Sequence, residues 1–278
     1  MQPFRTAFFG VMAACLLAAC QTTPVTGRKQ FMVVPESQAI EASKQAYVQT
    51  LQPLQKQGKV NNDPALVARV KAITARLIPP AIAYRPETAS WDWQVVVIDE
   101  PDTLNAWCMA GGKMAIYTGI IQKLNLTDAE IAQVMGHEIA HALAKHTAER
   151  MSVALAQQTA LQVGSILLGG GGTSSELALQ AAAAATTVGV QLPNSRQQEA
   201  EADRIGIELA ARAGYDPHAA PQLWQKMMTA TGSGGKSDFL STHPANEKRL
   251  QALTALIPQM MPLYEDKNAA RPVYAFKT

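Results

Sequence analysis

The sequence predicts an α+β protein, mostly helical, with one small antiparallel sheet. Two observations carry this reading. From Thr127 to about Ile257 nearly every stretch reads as helix, broken by glycine-rich runs at residues 169–172 and 232–235. Upstream, residues 91–98 (WDWQVVVI) are aromatic and β-branched, and residues 105–110 and 113–118 flank Gly111 and Gly112 like the arms of a hairpin. Of the 278 residues 47% are hydrophobic, only 17% charged and 6% aromatic, so small apolar side chains, chiefly alanine, must do much of the packing. A formal net charge of +2 is too near neutral to draw in a nucleic-acid backbone, which sets DNA and RNA binding aside. Three cysteines make no disulfide framework, so stability must come from the core.

Residues 1–20 (MQPFRTAFFGVMAACLLAAC) carry one basic residue, Arg5, followed by an uncharged apolar run ending in small residues. That is the pattern of a secretory signal, too short to cross a bilayer comfortably. Leu17, Ala18, Ala19 and Cys20 resemble the bacterial lipobox. Residues 1–19 are therefore expected to be a signal peptide, and Cys20 the lipidated first residue of the mature chain. Residues 20–35 are expected to be a lipidated tether and residues 36–278 the folded domain. The protein is thus expected in the bacterial periplasm, anchored to a membrane by its N-terminal lipid, the outer membrane being preferred. Cys108 remains as a lone thiol, expected to pack as a small buried hydrophobe. Two helical segments follow the tether, at residues 36–57 and 64–78. Asp63 caps the second, Pro64 takes its first position, and Pro79 and Pro80 are expected to stop it. Residues 152–192 read as a helical hairpin with a glycine tip, either plain packing or a lid over a cleft.

Three of the five histidines fall within the stretch GHEIAHALAKH, where His137, Glu138 and His141 form H-E-x-x-H. Thr127 with Glu130 makes a capping box that puts the motif inside a helix. His137 and His141, four residues apart, then project about 40° from each other and can share one ion. Glu138 is the only charged residue between Ile131 and Ala144, and an unpaired carboxylate in so apolar a helix is costly. A bound cation relieves that cost. Imidazole pairs suit zinc, and Glu138 is placed to take a proton from its water. The competing account is a buried helix whose histidines are merely hydrogen-bonded. His146 falls about 180° around the helix from His137 and is not expected to be a ligand.

A catalytic zinc needs a third protein ligand, and the helix beginning near Asn194 and Ser195, SRQQEAEADRIGIELAAR, offers several acids. Placed on a wheel with Glu199 at zero, Glu201, Arg204, Glu208 and Arg212 fall between about 140° and 220°, a charged face expected to be solvated. Asp203 falls near ~40°, beside Gly206, Ile207 and Ala210. Glu199 and Asp203 are therefore acids turned toward the apolar side, in need of a buried partner. Glu199 as the third ligand, with Asp203 behind it accepting the free N–H of a ligating histidine, meets that need. A surface pair of acids is the alternative.

H-E-x-x-H followed by S-R-x-x-E-x-x-A-D, here Ser195 to Asp203, resembles the gluzincin metallopeptidases related to HtpX and the CAAX-prenyl endopeptidases. Residues 24–30 (PVTGRKQ), 105–107 (NAW), 111–120 (GGKMAIYTGI), 214–217 (GYDP) and 241–244 (STHP) are similar to the periplasmic lipoprotein branch of that family. The resemblance runs from about Pro24 to Leu253. It implies a zincin-like metallopeptidase domain with its sheet beside the active-site helix. It also implies one Zn2+ per chain on His137, His141 and Glu199, Glu138 as general base, and Asp203 behind the ligands. It implies further that Asn105, Ala106 and Trp107 lie on an edge strand that binds an extended peptide. Substrates would then be unfolded or misassembled envelope proteins, with the outer-membrane assembly machinery as a further partner. The helical-repeat domain and the membrane-spanning helices of some relatives are not expected here.

His243, in STHPANEKRL, precedes Pro244, which suits a first helical position, so His243 is expected at a helix cap with its ring at the entrance. A surface capping histidine is the plain alternative. The resemblance brings this segment near the zinc. There the ring either donates a hydrogen bond to the oxyanion or fills the fourth metal position and holds the enzyme latent; the donor role is the one expected. Two other functions compete with protein hydrolysis: a non-proteolytic assembly factor for outer-membrane components with a structural zinc, and a metallohydrolase of cell-wall peptides. Glu138 argues against the first, because a structural site closes with a protein ligand and has no need of a neighbouring base.

Overall fold

The computed structural model describes residues 20–23, 26–167, 192–232, 238–244 and 246–277. The expected signal peptide, the glycine tip at residues 169–172 and much of the run at 232–235 lie outside them. In chain order the elements are β1 (Cys20–Thr22), β2 (Lys29–Phe31), α1 (Glu36–Lys56), α2 (Pro64–Tyr84), β3 (Gln94–Ile98), β4 (Ala106–Met109) and β5 (Lys113–Tyr117). Then follow α3 (Thr118–Lys123), α4 (Asp128–Leu143), α5 (His146–Leu167), α6 (Leu192–Arg212), α7 (Ala219–Gly232), α8 (Asp238–Thr242) and α9 (Glu247–Glu265). The protein is the expected α+β type. None of the described helices is long and apolar enough to cross a membrane.

The main sheet has the order β3-β5-β4. Its hairpin is antiparallel, with Trp107 opposite Ala115, while β3 joins β5 in parallel with Val96 opposite Ala115. The sheet is therefore mixed, a detail that alternation cannot reveal, since a strand shows the same period whichever way it pairs. At the hairpin turn Gly111 and Gly112 take φ of +87° and +81°. A Cβ on Gly112 would lie 2.6 Å from the Trp93 ring, so neither the turn nor the packing admits a side chain there. This leaves β4 with one strand neighbour, on the edge.

Helix α2 does not stop at Pro79. Asp63 caps it as expected, accepting from the amides of Ala65 and Leu66, but the helix continues through Pro79 and Pro80 to Tyr84. Pro79 has no N–H for the Ala75 carbonyl, and the amide of Tyr274 supplies the missing donor at 2.8 Å. Burial of Leu77, Ile78 and Ala81 holds the continuation against the core.

The stretch expected to be a tether is likewise part of the domain from Arg28 onward. Gln30 is buried and donates to the Ala144 carbonyl at 2.6 Å, the amides of Val33 and Val34 donate to the Ser152 hydroxyl, and Met32 and Val34 are buried. Composition gave no hint of this, because turn formers followed by a short apolar run read alike in a spacer and in a docked arm.

Helix α4 carries the H-E-x-x-H segment. Both halves of the Thr127–Glu130 capping box are present, and every residue from Glu130 to Leu143 is buried. It is a central helix, with the sheet, α2, α6 and α7 against it. Its largest helix contact is with α6, where Gly136 faces Gly206. A Cβ on Gly206 would lie 2.8 Å from the His137 amide nitrogen and 2.9 Å from its Cα, and one on Gly136 would lie 2.9 Å from the Gly206 carbonyl oxygen. The obstacles are backbone atoms, which cannot rotate away.

The charged face expected to be solvated on α6 is only half so. Arg204 and Arg212 are exposed at their tips, but Glu201 and Glu208 are buried. Glu208 sits between the two guanidiniums at 2.6 and 2.8 Å. Burial pushes its carboxyl up, yet hydrogen bonds from Tyr84, Arg212 and Arg204 outweigh this and hold it below the ordinary range.

Gly206→Ala should destabilise the fold by about 1–3 kcal/mol, the usual cost of forcing atoms into a filled contact. Urea unfolding checks this, and a variant as stable as wild type would mean the two helices can separate freely. Glu208 binds a proton more readily unfolded than folded. Its contribution is therefore complete above the unfolded carboxylate pKa of about 4.3 and is lost as pH falls through the lower folded value. Glu208→Gln should accordingly lose less stability than wild type on acidification below about pH 4.3; parallel pH profiles would contradict that assignment.

Candidate metal centre

One turn of α4 and one turn of α6 meet beside the Gly136–Gly206 contact. Nε2 of His137 lies 3.1 Å from Nε2 of His141 and 3.3 Å from Oε2 of Glu199, while Nε2 of His141 lies 3.4 Å from Oε1 of Glu199. His243, between α8 and α9, adds Nδ1 at 3.2 Å from His137 Nε2 and 3.1 Å from both oxygens of Glu199. These four donor atoms lie within 4.8 Å of one another. Donor atoms so close together can converge on a single ion, since zinc–nitrogen and zinc–oxygen bonds are about 2.0–2.2 Å long. Two or three imidazoles and a carboxylate, all but His243 buried, are a donor set suited to zinc.

The electrostatics call for positive charge at that centre. Burial disfavours a charged His137, but Asp203 and Glu199 outweigh burial and raise it to about 9. Burial and the neighbouring His137 and His146 push His141 well below its ordinary value, so its ring is neutral. Glu199 is pulled the other way by His137 and His243, far below the carboxylate range despite burial. Glu138, next in sequence to His137, points into the same space. Its Oε1 is buried with no hydrogen-bond partner, and Nε2 of His243 stands 3.5 Å away. Burial raises its pKa.

Asp203 lies behind His137, with Oδ1 3.1 Å from Nδ1. The wheel brought Glu199 and Asp203 to the right side of α6, and their buried partner is Arg249 on α9. Its Nε and Nη2 donate to the two oxygens of Asp203 at 2.8 and 2.7 Å, its Nη1 lies 3.0 Å from Glu199, and its guanidinium rests 3.9 Å from the Trp224 ring centroid. This fork-to-carboxylate pairing orients both acids toward the histidines. Arg249 was not singled out in the sequence; the unmet need of two inward acids for a cation was the available signal.

His243 is not a helix cap. Asn246 caps α9, accepting from the Arg249 amide, and His243 leaves the end of α8 with its ring against Phe239 at 4.6 Å between centroids. The expectation failed because Pro244 suggested a helix start three residues too early. His146 is not among the four donors, as expected, but it is not remote either. Helix α4 ends at Leu143, Lys145 takes φ of +59°, and the turn brings Nδ1 of His146 to 2.7 Å from Nδ1 of His141.

A cleft of about 640 Å³ opens onto the centre. Glu138, His141, Glu199 and His243 line its floor, residues 105–109 of the β4 edge line one wall, and Arg150, Ser195 and Gln198 stand opposite. Asn105, Ala106 and Trp107 are thus brought to the site, Trp107 packing edge-on against Tyr47. Cys108 is buried, and burial first, then Glu138, raises its pKa well above that of a free thiol, in keeping with a packing role.

An H-E-x-x-H helix joined by a glutamate from a second helix is the donor arrangement of the gluzincin class. The chain belongs to peptidase family M48, whose model matches residues 64–257. It is 36% identical over 185 residues to the mitochondrial metalloendopeptidase OMA1 of Arabidopsis thaliana, covering 64% of this chain and 35% of the relative. It is 31% identical over 255 residues to the mitochondrial metalloendopeptidase OMA1 of Bos taurus, covering 89% and 48%. With the beta-barrel assembly-enhancing protease of Escherichia coli K12 it shares 30% identity over 208 residues, covering 73% and 41%. The chain spans between about a third and a half of the length of these relatives.

Proposed function

We propose that the protein is a zinc-dependent endopeptidase with His137, His141 and Glu199 as its metal ligands and Glu138 as its general base. The observation that carries this reading is a buried oxygen of Glu138 with no hydrogen-bond partner, beside the donor cluster of His137, His141, Glu199 and His243 in an open cleft. When bound there, zinc supplies Lewis-acid polarisation of the scissile carbonyl and acidifies the attacking water. Glu138 accepts the proton of that water and returns it to the departing amine; burial keeps its pKa above the ordinary carboxylate value, closer to working pH. Asp203 holds His137 by its other nitrogen, and Arg249 holds Asp203 and Glu199 together. An extended chain adds to the free edge of β4 at Asn105, Ala106 and Trp107, which gives main-chain affinity with loose side-chain selection.

Such recognition suits unfolded or misassembled envelope proteins. The name of the Escherichia coli relative, which refers to β-barrel assembly, supports that setting, and the signal and lipobox pattern ending at Cys20 supports a lipid anchor in the periplasm, at the outer membrane. This is the periplasmic lipoprotein branch of the family.

His243 is the fourth corner of the donor set, and this favours a closing ligand over the oxyanion donor expected from sequence. A ring at that corner, standing also 3.5 Å from Glu138, fills the place that the attacking water needs. The protein is then latent until His243 swings away. The same closure favours the second reading, a structural zinc in an assembly factor, and the two part company over Glu138 and His243.

Glu138→Gln should keep zinc yet hydrolyse unfolded casein at least ~100-fold more slowly, and stripping zinc with a chelator should abolish turnover. Unchanged turnover in Glu138→Gln would favour the assembly factor; a preference for cell-wall peptides over casein would favour the third reading. His243→Ala should raise turnover with zinc retained, whereas a fall with zinc retained would restore the donor role. Cys20→Ala should move active protein from the membrane fraction to the soluble one, and a variant that stays in the membrane with its leader uncleaved would mean that the first twenty residues act as a simple anchor.

A further inference from the structure

A line of polar groups leaves the metal centre on the side away from the cleft. Nδ1 of His141 is 2.7 Å from Nδ1 of His146, and Nε2 of His146 is 3.1 Å from Oε2 of Glu201. Two residues before β2 donate to the same carboxylate: Arg28 through Nε at 2.7 Å, and Thr26 through its hydroxyl. The remaining nitrogens of Arg28 grip Glu149 at 2.8 and 2.6 Å. His146 is completely buried, and Glu201 and Glu149 nearly so. Beyond His141, none of these groups is among the residues lining the cleft or has a part in the hydrolytic mechanism.

The partners dictate where the protons lie. Glu201, held by a guanidinium and a hydroxyl, is a carboxylate and can only accept, so Nε2 of His146 carries the hydrogen. A neutral His146 then presents a bare Nδ1, which can only accept in turn. Nδ1 of His141 must therefore carry a hydrogen, which leaves the lone pair of its Nε2 directed at His137 and Glu199, where the other donors converge. That is the tautomer and the ring orientation a metal ligand requires. Behind His137 a single carboxylate, Asp203, stands 3.1 Å from Nδ1. Nδ1 of His141 meets His146 rather than a carboxylate, and this second histidine spans the gap to Glu201.

We infer that Arg28, Glu201 and His146 are positioning residues that fix His141 as an Nε2 donor, with the N-terminal arm as the outer anchor of the relay. Metal retention at the centre thereby depends on docking of residues 26–31, a segment that adjoins the expected lipid attachment point. The inference rests on the zinc reading given above. Without the arm, Glu201 loses the charge that makes its burial tolerable, and His146 loses the acceptor that sets its tautomer. A plain structural ion pair would behave otherwise: Glu149 and Glu201 share Arg28 and are similarly buried, so they would matter alike, and equally with or without metal.

The test uses the full chain, zinc-loaded and chelator-stripped, and reads the zinc dissociation constant by competition with a chromophoric chelator together with the thermal midpoint of both forms. Glu201→Gln and His146→Phe should each raise the zinc dissociation constant about 10–100-fold. Glu149→Gln, which leaves His146 and its acceptor in place, should raise it by clearly less than Glu201→Gln whatever it does to the thermal midpoint, and Arg28→Ala should follow Glu201→Gln. The absorption bands of the cobalt-substituted protein should shift in Glu201→Gln and not in Glu149→Gln. Thr26→Val removes only one hydroxyl from the solvent side of the arm. It gives a mild perturbation that should still weaken zinc binding if the larger changes impair folding. Equal effects of Glu149→Gln and Glu201→Gln, or none from either Glu201→Gln or Thr26→Val, would overturn the relay. His141→Ala separates the two layers: if it retains zinc at wild-type affinity the ligand assignment itself falls, whereas its loss of zinc alongside an unaffected Glu201→Gln removes the relay alone.

Discussion

The arrangement of the site depends on how closely α4 and α6 cross. Gly136 and Gly206 let one backbone rest on the other, and the atoms that would collide with a side chain at Gly206 are the amide nitrogen and Cα of His137 itself. The two turns of α6 that precede Gly206 deliver Glu199 and Asp203 to the two nitrogens of His137. With side chains at the crossing, the helices would stand apart by the width of a methyl group. A carboxylate and an imidazole would then be separated by more than the edge of a zinc tetrahedron. Helix propensity opposes glycine in both places by about 1 kcal/mol each, so these residues are costly locally and are justified by the contact they permit.

Close crossing brings a second problem, because it buries acids. Four carboxylates of α6 lie out of water, and each is matched by basic side chains: Glu199 by the histidines and Arg249, Asp203 by Arg249, Glu201 by Arg28 and His146, and Glu208 by Arg204 and Arg212. Removing one member of such a pair strands the other, which is far more costly than replacing both with apolar side chains. The result ties distant parts of the chain to one helix. Arg249 brings α9, and Arg28 brings the N-terminal arm, so neither segment can leave without exposing an uncompensated charge at the metal centre.

What could be read from the sequence was whatever a single element decides. The capping box at Thr127, the common face of His137 and His141, and the inward turn of Glu199 and Asp203 all follow from helical period within one segment, and all stand in the structure. What could not be read was decided between elements. Glu201 lies on the outer side of the wheel, yet the arm covers that side, so polarity alone misreported its burial. Pro79 stops an isolated helix, but a carbonyl satisfied by Tyr274, almost two hundred residues later, lets it continue. The contact of His146 with His141 escaped the wheel, which assumed one unbroken helix, because the positive φ at Lys145 resets the phase. The mixed pairing of the sheet belongs to the same group, since period shows that a strand exists and says nothing of its neighbour's direction.

The last step concerns closure. A structural zinc site and a latent catalytic site share four protein donors, so donor count does not separate them; what separates them is how each donor is held. His137, His141 and Glu199 are buried on long helices, and each is gripped from behind by Asp203, by His146 or by Arg249. His243 is held less firmly. It is more exposed than the other three, it follows a helix of five residues, and behind it stand only the face of Phe239 and, 3.5 Å from its other nitrogen, Glu138. Three donors are thus built into the core and one is laid against it. A structural site gains nothing from one loosely held ligand placed beside an unpartnered glutamate. A hydrolytic site gains a removable stopper, because withdrawing His243 uncovers the fourth position and frees Glu138 in the same motion. On that reading a chain entering from the β4 cleft would meet Glu138 with the fourth donor withdrawn, and His137, His141 and Glu199 would keep their places because Asp203, His146 and Arg249 hold them.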